Sequence, residues 1–243
     1  MKRLLALLGV FFLIVVSYTA YVAATLPDVR PLGRTNPKTT ALMEQRAREN
    51  GKRAQPLRSW VPYNQISPHL RNAVLVAEDA AFFQHSGFDF EQIKESVKRN
   101  WREKRFARGA STITQQLAKN LYLSTSRSPF RKIREFFIAR DLERVLSKRR
   151  IFEIYLNVIE WGDGVYGVAA ASNRYFGKAP ADLQPEEAAI LAAMIPNPRR
   201  YAPSRNLAYL ERRKASILKL LEQYGYLDAA EYEAARVRPV VFR

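Results

Sequence analysis

The chain has 243 residues, 47% of them hydrophobic and 12% aromatic, with a formal charge of +17 at pH 7. That length and apolar content support one sizeable domain with an appendage and exclude a largely disordered chain. The absence of cysteine excludes disulfides and thiolate metal sites, and the charge calls for an anionic partner: nucleic acid, anionic lipid headgroups or a phosphorylated substrate.

The first segment narrows that choice. Residues 1–3 carry Lys2 and Arg3, and residues 4–26 follow without a single charge. At about 1.5 Å per helical residue such a run spans a hydrocarbon core of about 30 Å. Tyr18 and Tyr21 suit the outer interfacial belt. Val22-Ala23-Ala24 loosely resembles a signal-peptidase site, but the apolar run is longer than a usual signal core, which favours a retained transmembrane anchor. Lys2 and Arg3 then keep the N-terminus inside. Arg30, Arg34 and Lys38 weaken the charge asymmetry, although a long following domain translocates largely regardless of it. The body therefore belongs outside the cytoplasmic membrane, away from genomic DNA, and nucleic acid drops out as a partner.

Residues 27–58 are polar and punctuated by proline, apart from a short helical candidate at 40–49, and read as a linker or loosely packed arm. The globular body is expected over 59–243. Ser67-Pro68 provides a cap and a first-turn proline for a helix over 67–83. Helical periodicity continues over 91–104, 112–122, 130–146, 148–158, 165–176, 185–194 and 207–224, with glycines at 162, 164 and 177 marking breaks. Residues 237–242 suit a short strand or a packed tail. The expected fold class is mainly α.

The 67–83 segment carries the first chemistry. Plotted at about 100° per residue, its apolar side chains occupy nearly every direction, the pattern of a buried helix. Glu78 and Asp79 stand on it, and carboxylates there must be paired, hydrogen-bonded or shifted toward the neutral acid, as a general base is. A buried ion pair is the bland alternative. A turn through His85, Ser86 and Gly87 follows, suited to the lip of a cleft. In the next cluster, from Gly109 to Leu121, Thr112 and Gln115 fit a capping box, opening a helix whose N-terminus favours phosphate. Gln116 and Lys119 project at related angles, and an ordinary capped surface helix is the alternative. Arg127, Arg131, Lys132 and Arg134 then form either a diphosphate clamp or a solvated basic face, with Glu135 four residues after Arg131. The two histidines, His69 and His85, are too far apart in pattern for a local zinc pair.

Together these clusters resemble the peptidoglycan glycosyltransferases that use lipid II, specifically the monofunctional biosynthetic members. A Glu-Asp-x-x-Phe-x-x-His-x-Gly signature is met by Glu78, Asp79, Phe82, His85 and Gly87, and Gly-x-Ser-Thr-Ile-Thr-Gln-Gln by residues 109–116, with Ala110 a mild variation. Arg-Lys-x-x-Glu is met by Arg131, Lys132 and Glu135; two later blocks match from Ile154 through Gly177 and from Ala188 through Pro203. With the chain ending at Arg243, no penicillin-binding domain is expected after the module.

The resemblance implies a lysozyme-like helical head beside a small membrane-associated lobe, which Phe106, Tyr122, Leu123 and Phe130 would form. It implies a polymerase that passes a lipid-diphosphate-linked glycan chain onto the 4-hydroxyl of lipid II, making β-1,4 bonds with inversion and releasing undecaprenyl diphosphate. In that scheme Glu78 is the base. Lys119, Arg127, Arg131 and Lys132 neutralise the diphosphate, and Ser111, Gln115 and Gln116 position phosphate and sugar. Glu135, the second glutamate, organises the diphosphate site, with which a divalent ion, Mg2+ or Mn2+, is compatible. Asp79, Phe82, His85 and Gly87 shape the cleft. The implied partners are lipid II, the growing lipid-linked glycan, the membrane, and cell-wall synthesis or division proteins. A membrane-bound lytic glycosidase would share the fold but needs no cationic diphosphate site. An inactive division scaffold predicts eroded catalytic positions, and none is eroded.

Overall fold

The computed structural model describes residues 2–51, 53, 55, 57, 59–103, 111–126 and 128–243; side chains at 2–7, 11, 14, 23, 97 and 99–103 are also outside the described set. In chain order the elements are α1 (Lys2–Ala24), α2 (Ala41–Glu49), α3 (Pro68–Glu78), α4 (Phe90–Glu103), α5 (Ile113–Tyr122), α6 (Pro129–Val145) and α7 (Lys148–Val158). A small antiparallel hairpin of β1 (Glu160–Gly162) and β2 (Val165–Tyr166) follows, then α8 (Val168–Phe176), α9 (Pro185–Met194), α10 (Pro203–Gln223) and α11 (Ala229–Val237). The described chain is mainly helical, as its periodicity predicts.

The centre of the head is α9. Gln184 and Glu187 form a capping box, Pro185 occupies the first turn, and every residue of the helix is buried. From Ala188 to Met194 it is apolar on all sides and must be enclosed on all sides, while Glu186 and Glu187 pair with Arg238 and Lys178. Ala188, Ala189, Ala192 and Ala193 are the small faces that let α3 and α10 approach closely. On the far side of α3, α5 packs against α6 and α7. Phe82, Phe152, Tyr155 and Trp161 are among the largest fully buried side chains and fill the space between these layers.

Several boundaries differ from the periodic reading. The helix expected over 67–83 ends at Glu78, because Asp79 leaves helical geometry (φ −165°, ψ 77°) and its carboxylate turns to partners elsewhere. The helix expected from residue 165 starts at Val168, since Val165 and Tyr166 pair with β1. The helix expected from 207 is counted from Pro203 but is broken at Asn206 (φ −155°, ψ 56°). Residues 237–242 take the packed-tail alternative rather than the strand, with Val240 and Phe242 against the core. Before them stands α11, started by a capping box of Asp228 and Glu231; that Asp-x-x-Glu before an alanine-rich stretch was the available signal.

The 27–58 segment packs in part onto the head. Val29 and Leu32 join the core, and α2 buries Leu42 and Met43 against α5. Gln45 fixes α2 by two hydrogen bonds: its amide donates to Thr125 Oγ1 (2.7 Å) and its carbonyl accepts from Thr125 N–H (2.9 Å). At the N-terminus α1 is one continuous helix of 23 residues. Among the described residues no helix is long and apolar enough to cross a membrane. The described outer side chains of α1 include exposed Leu8, Val10, Phe12 and Leu13.

Asn157 shows how the later sequence blocks build the frame. Its amide clasps Val61, accepting from Val61 N–H (2.8 Å) and donating to Val61 C=O (2.9 Å). Gly167 packs against the same residue with φ +79°, and a Cβ there would lie 2.5 Å from the Asn157 carbonyl oxygen. Both backbone strain and contact therefore demand glycine. We expect Gly167→Ala to lower unfolding free energy by about 1–3 kcal/mol in urea titrations; an unchanged midpoint would show that the hairpin yields without cost.

Candidate active site

The first two sequence clusters are joined by Asp79. Its carboxylate is buried, and Oδ2 accepts from the N–H of Ile113 (3.0 Å), the first residue of α5. His85 Nε2 lies 2.9 and 3.1 Å from the two Asp79 oxygens, while Gly87 N–H donates to His85 Nδ1 (3.1 Å). With Nδ1 accepting, the imidazole carries its proton on Nε2 and donates to Asp79. Gly87, at φ +89°, closes the circuit by accepting from Thr112 Oγ1 (2.7 Å). Phe82 is fully buried beneath this turn, edge-on to His85 and Phe83. Asp79, Phe82, His85 and Gly87 thus form one hydrogen-bonded and packed turn that joins the end of α3 to the start of α5.

The start of α5 takes the expected capping box but not as an open phosphate site. Thr112 Oγ1 accepts from Gln115 N–H, and Gln115 Oε1 accepts from Thr112 N–H (3.0 Å). The anion at this helix end is the chain's own Asp79, which suits the helix dipole. Gln115 is consequently buried and spent on the cap, rather than turned to the cleft as the resemblance implies. The Gly109 end of that motif lies outside the described residues.

Glu78 stands at the last position of α3, half-buried, facing α5. Gln116 Nε2 donates to Glu78 Oε2 (2.9 Å), and Gln116 Oε1 accepts from the Tyr155 hydroxyl (2.8 Å). Burial, followed by the nearby charges of Glu78 and Asp79, pushes the Tyr155 phenol well above its ordinary range. Tyr155 therefore remains a fixed donor, which holds the Gln116 amide in the orientation that presents its NH2 to Glu78. The sequence reading gave Tyr155 no role. Its position in α7's apolar stripe, after Ile151, Phe152 and Ile154, looks like plain core, and only the hydroxyl's partner distinguishes it.

The cationic cluster assembles around Glu135, which is 2% exposed. Arg131 donates to Glu135 Oε2 (2.6 Å), Lys132 pairs with Oε1, and Lys132 Nζ also reaches Ser111 Oγ (3.1 Å). Glu135 thus orients its neighbours, and Ser111 ties the second motif to the third. Lys119, one turn along α5 from Gln116, has its ammonium pushed below the ordinary 10.5, chiefly by burial. Glu135 and Glu78 oppose that shift, while Arg131 and Lys132 add to it. An under-solvated cation of this kind gains strongly from an arriving anion. Arg127 falls outside the described residues.

A divalent ion does not fit the protein groups alone. Both Glu135 oxygens already face cations, Lys119 adds a third positive charge, and one carboxylate among three cations is a poor hard-ion cage. Among the described residues no group of three or more histidine and carboxylate side chains is arranged to hold a metal.

Comparison with known proteins shows the family to which the chain belongs. A family model described as Transglycosylase matches residues 44–222, from within α2 to the end of α10. A Nitrosospira multiformis protein named biosynthetic peptidoglycan transglycosylase is 48% identical over 186 residues, 75% of this chain and 81% of its own. One of the same name from Dechloromonas aromatica is 49% identical over 189 residues, 76% of this chain and 82% of its own. A crystal structure of Penicillin-Binding Protein 1A from Haemophilus influenzae is 31% identical, covering 54% of this chain and 16% of that one, with a TM-score of 0.38. Superposition that loose carries no argument about arrangement.

The depressed pKa of Lys119 gives a stability prediction. Below its folded-state pKa the charged ammonium destabilises the fold, and the penalty fades as pH rises through the interval up to the ordinary 10.5. We expect Lys119→Met to raise the thermal midpoint at neutral pH, with the advantage shrinking toward pH 10, even as activity falls. A midpoint lowered at neutral pH would mean that the ammonium stabilises the cleft.

Proposed function

This chain belongs to the transglycosylase family, as a peptidoglycan glycosyltransferase that polymerises glycan chains, and from that premise we propose how its cleft performs the transfer. The observation that carries the reading is the pairing of an oriented carboxylate with a cationic pocket. Gln116, braced by Tyr155, holds Glu78, and Lys119 one turn away joins it to the Arg131–Lys132–Glu135–Ser111 cluster.

The donor is a glycan chain on a lipid diphosphate, and the acceptor is lipid II. Glu78 takes the proton of the acceptor 4-hydroxyl as its oxygen attacks the donor anomeric carbon. The bond from that carbon to the diphosphate breaks, and its electron pair leaves with the phosphate oxygen. Lys119, Arg131 and Lys132 neutralise the departing charge, joined on the family resemblance by Arg127, while Glu135 fixes the clamp. One displacement inverts the anomeric centre, so a single base suffices and no glycosyl-enzyme bond forms. A lytic glycosidase would leave the cationic cluster without a task, and that reading is not favoured.

We propose further that the lysozyme-like head sits against the outer face of the cytoplasmic membrane with α1 as a single-pass anchor. The uncharged run over 4–26, the continuity of α1 and its exposed Leu8, Val10, Phe12 and Leu13 support this. The outer end of α1 is tied to α6. The Tyr18 hydroxyl donates to the Phe130 carbonyl (3.1 Å), and Arg134 donates to Thr25 Oγ1 (2.6 Å) and to its carbonyl (2.8 Å). Phe130, Ile133 and Phe136 are exposed on the same helix, and Phe90 on α4, as an interfacial lobe would be. Tyr122 and Leu123, also expected there, pack toward the core, and Phe106 lies outside the described residues.

Incubation with lipid II and separation of products by size tests the chemistry. Glu78→Gln should lower turnover by about 10^2–10^4-fold, the usual contribution of a positioned base, with the unfolding midpoint retained. Polymer formed by this variant at the wild-type rate would sink the mechanism. Deleting residues 1–26 should move most of the protein from the membrane pellet to the supernatant; unchanged sedimentation would exclude α1 as the anchor.

A further inference from the structure

The loop between α5 and α6 has few contacts of its own, yet the orientation of Arg131 depends on it. Leu123 reaches the core, but Ser124, Thr125 and Ser126 are exposed, and the two serines hydrogen-bond only with one another. The Ser126 carbonyl accepts from Arg131 Nε (2.6 Å), while a second nitrogen of that guanidinium donates to Glu135 Oε2 (2.6 Å). A planar fork bonded along two edges has little freedom left. Where the Ser126 carbonyl stands therefore decides where Arg131 presents its remaining N–H groups.

Besides Arg131, the hydrogen bonds that reach this loop from outside come, among the described residues, from α2. Gln45 donates to Thr125 Oγ1 (2.7 Å) and accepts from Thr125 N–H (2.9 Å). The direction of that amide is not free. Its NH2 also donates to Glu49 Oε1 (2.8 Å), which can only accept, so its carbonyl must face the Thr125 N–H. Glu49 is held in turn by Arg46 (3.0 Å).

The base of this arrangement is firm. Buried Thr40 caps α2 by accepting from Met43 N–H (3.1 Å), and Leu42 and Met43 are buried against α5. A lone bond between a helix and an exposed loop is easily replaced by water. Here Gln45 spends both its amide donors and its carbonyl, and Thr125 spends its backbone N–H as well as its hydroxyl. The line then runs unbroken through the Thr125–Ser126 peptide to Arg131 and Glu135.

Resting on the polymerase reading above, we propose that Gln45 is a positioning residue for the diphosphate clamp, setting the orientation of Arg131 through Thr125 and the Ser126 carbonyl. It touches no substrate. The stretch that reads as a linker thus supports the clamp from outside the head. Without Gln45 the loop loosens, Arg131 turns from the departing diphosphate, and Glu78 with its Gln116–Tyr155 brace is left as it was.

The test uses the full chain with lipid II, and inorganic pyrophosphate as the probe of the clamp, since it carries the charge of the departed group. Gln45→Leu should lower kcat roughly 10-fold with a smaller change in KM, the scale of a modest misplacement of a reacting group's support. Pyrophosphate inhibition should weaken roughly 10-fold, as for one misdirected hydrogen bond to a charged group. The thermal midpoint should hold, because the lost bonds are exposed. Thr125→Val should lose part of this activity, and Thr125→Ser, which keeps both bonding groups, much less. In an Arg131→Met background Gln45→Leu should add little, as expected of two residues acting in series. Unchanged pyrophosphate inhibition, a lowered midpoint alone, or fully additive losses with Arg131→Met would overturn the positioning role. Wild type that makes no polymer from lipid II would instead overturn the polymerase reading, and calorimetric titration with pyrophosphate would still judge the brace: equal affinity of wild type and Gln45→Leu would sink it.

Discussion

A single buried carboxylate holds the reactive region together. Asp79 ends α3, accepts the first N–H of α5 and receives the His85 ring, whose other nitrogen is fixed by Gly87. Each partner comes from a different stretch of chain, and each would be a buried unsatisfied group without the others. The cost of leaving such groups unpaired locks the end of one helix to the start of another. Glu78, one residue earlier, is thereby aimed at Gln116. The neighbouring glutamate and aspartate divide the work: the buried one builds the frame, and the half-buried one faces the cleft.

The charge distribution follows a related logic. The chain carries +17, yet the cations that matter chemically are the few gathered round one buried glutamate. Glu135 offsets the mutual repulsion of Arg131, Lys132 and Lys119 without neutralising them all, and so leaves net positive charge, which suits the diphosphate of the proposed mechanism. Lys119 bears the cost as a desolvated ammonium. On the proposed mechanism, stability is given up where the anion binds, a common pattern at functional sites. The remaining basic surface suits a protein working beside anionic headgroups.

The order of packing explains why so much of the chain serves so small a site. The enclosed α9 fixes α3 and α10, and α3 carries Glu78 and Asp79 at its end. Tyr155 and Asn157 stand two residues apart on α7: one orients Gln116 through its hydroxyl, and the other clasps the entry segment at Val61. The later sequence blocks thus act on the chemistry through position, by holding the residues that hold Glu78.

The sequence by itself determined the mainly helical class, the capping box of α5 and the exact span of α9, and its resemblance to a family put forward Glu78, Asp79, Lys119, Arg131, Lys132 and Glu135 as the chemical set. The first three are local signals: periodicity and caps depend on residues a few positions apart. Only the tertiary structure decided that the helix stops at Glu78, because the cause, the Ile113 N–H, lies 34 positions away. The same holds for Gln115, whose carbonyl is spent on a cap; for Tyr155, which looks like core until its hydroxyl meets Gln116; and for α2, a helical candidate in a linker-like stretch until Gln45 meets Thr125. Side-chain hydrogen bonds between distant segments leave no period in a sequence, since they depend on which buried groups the packing happens to bring within 3 Å of one another.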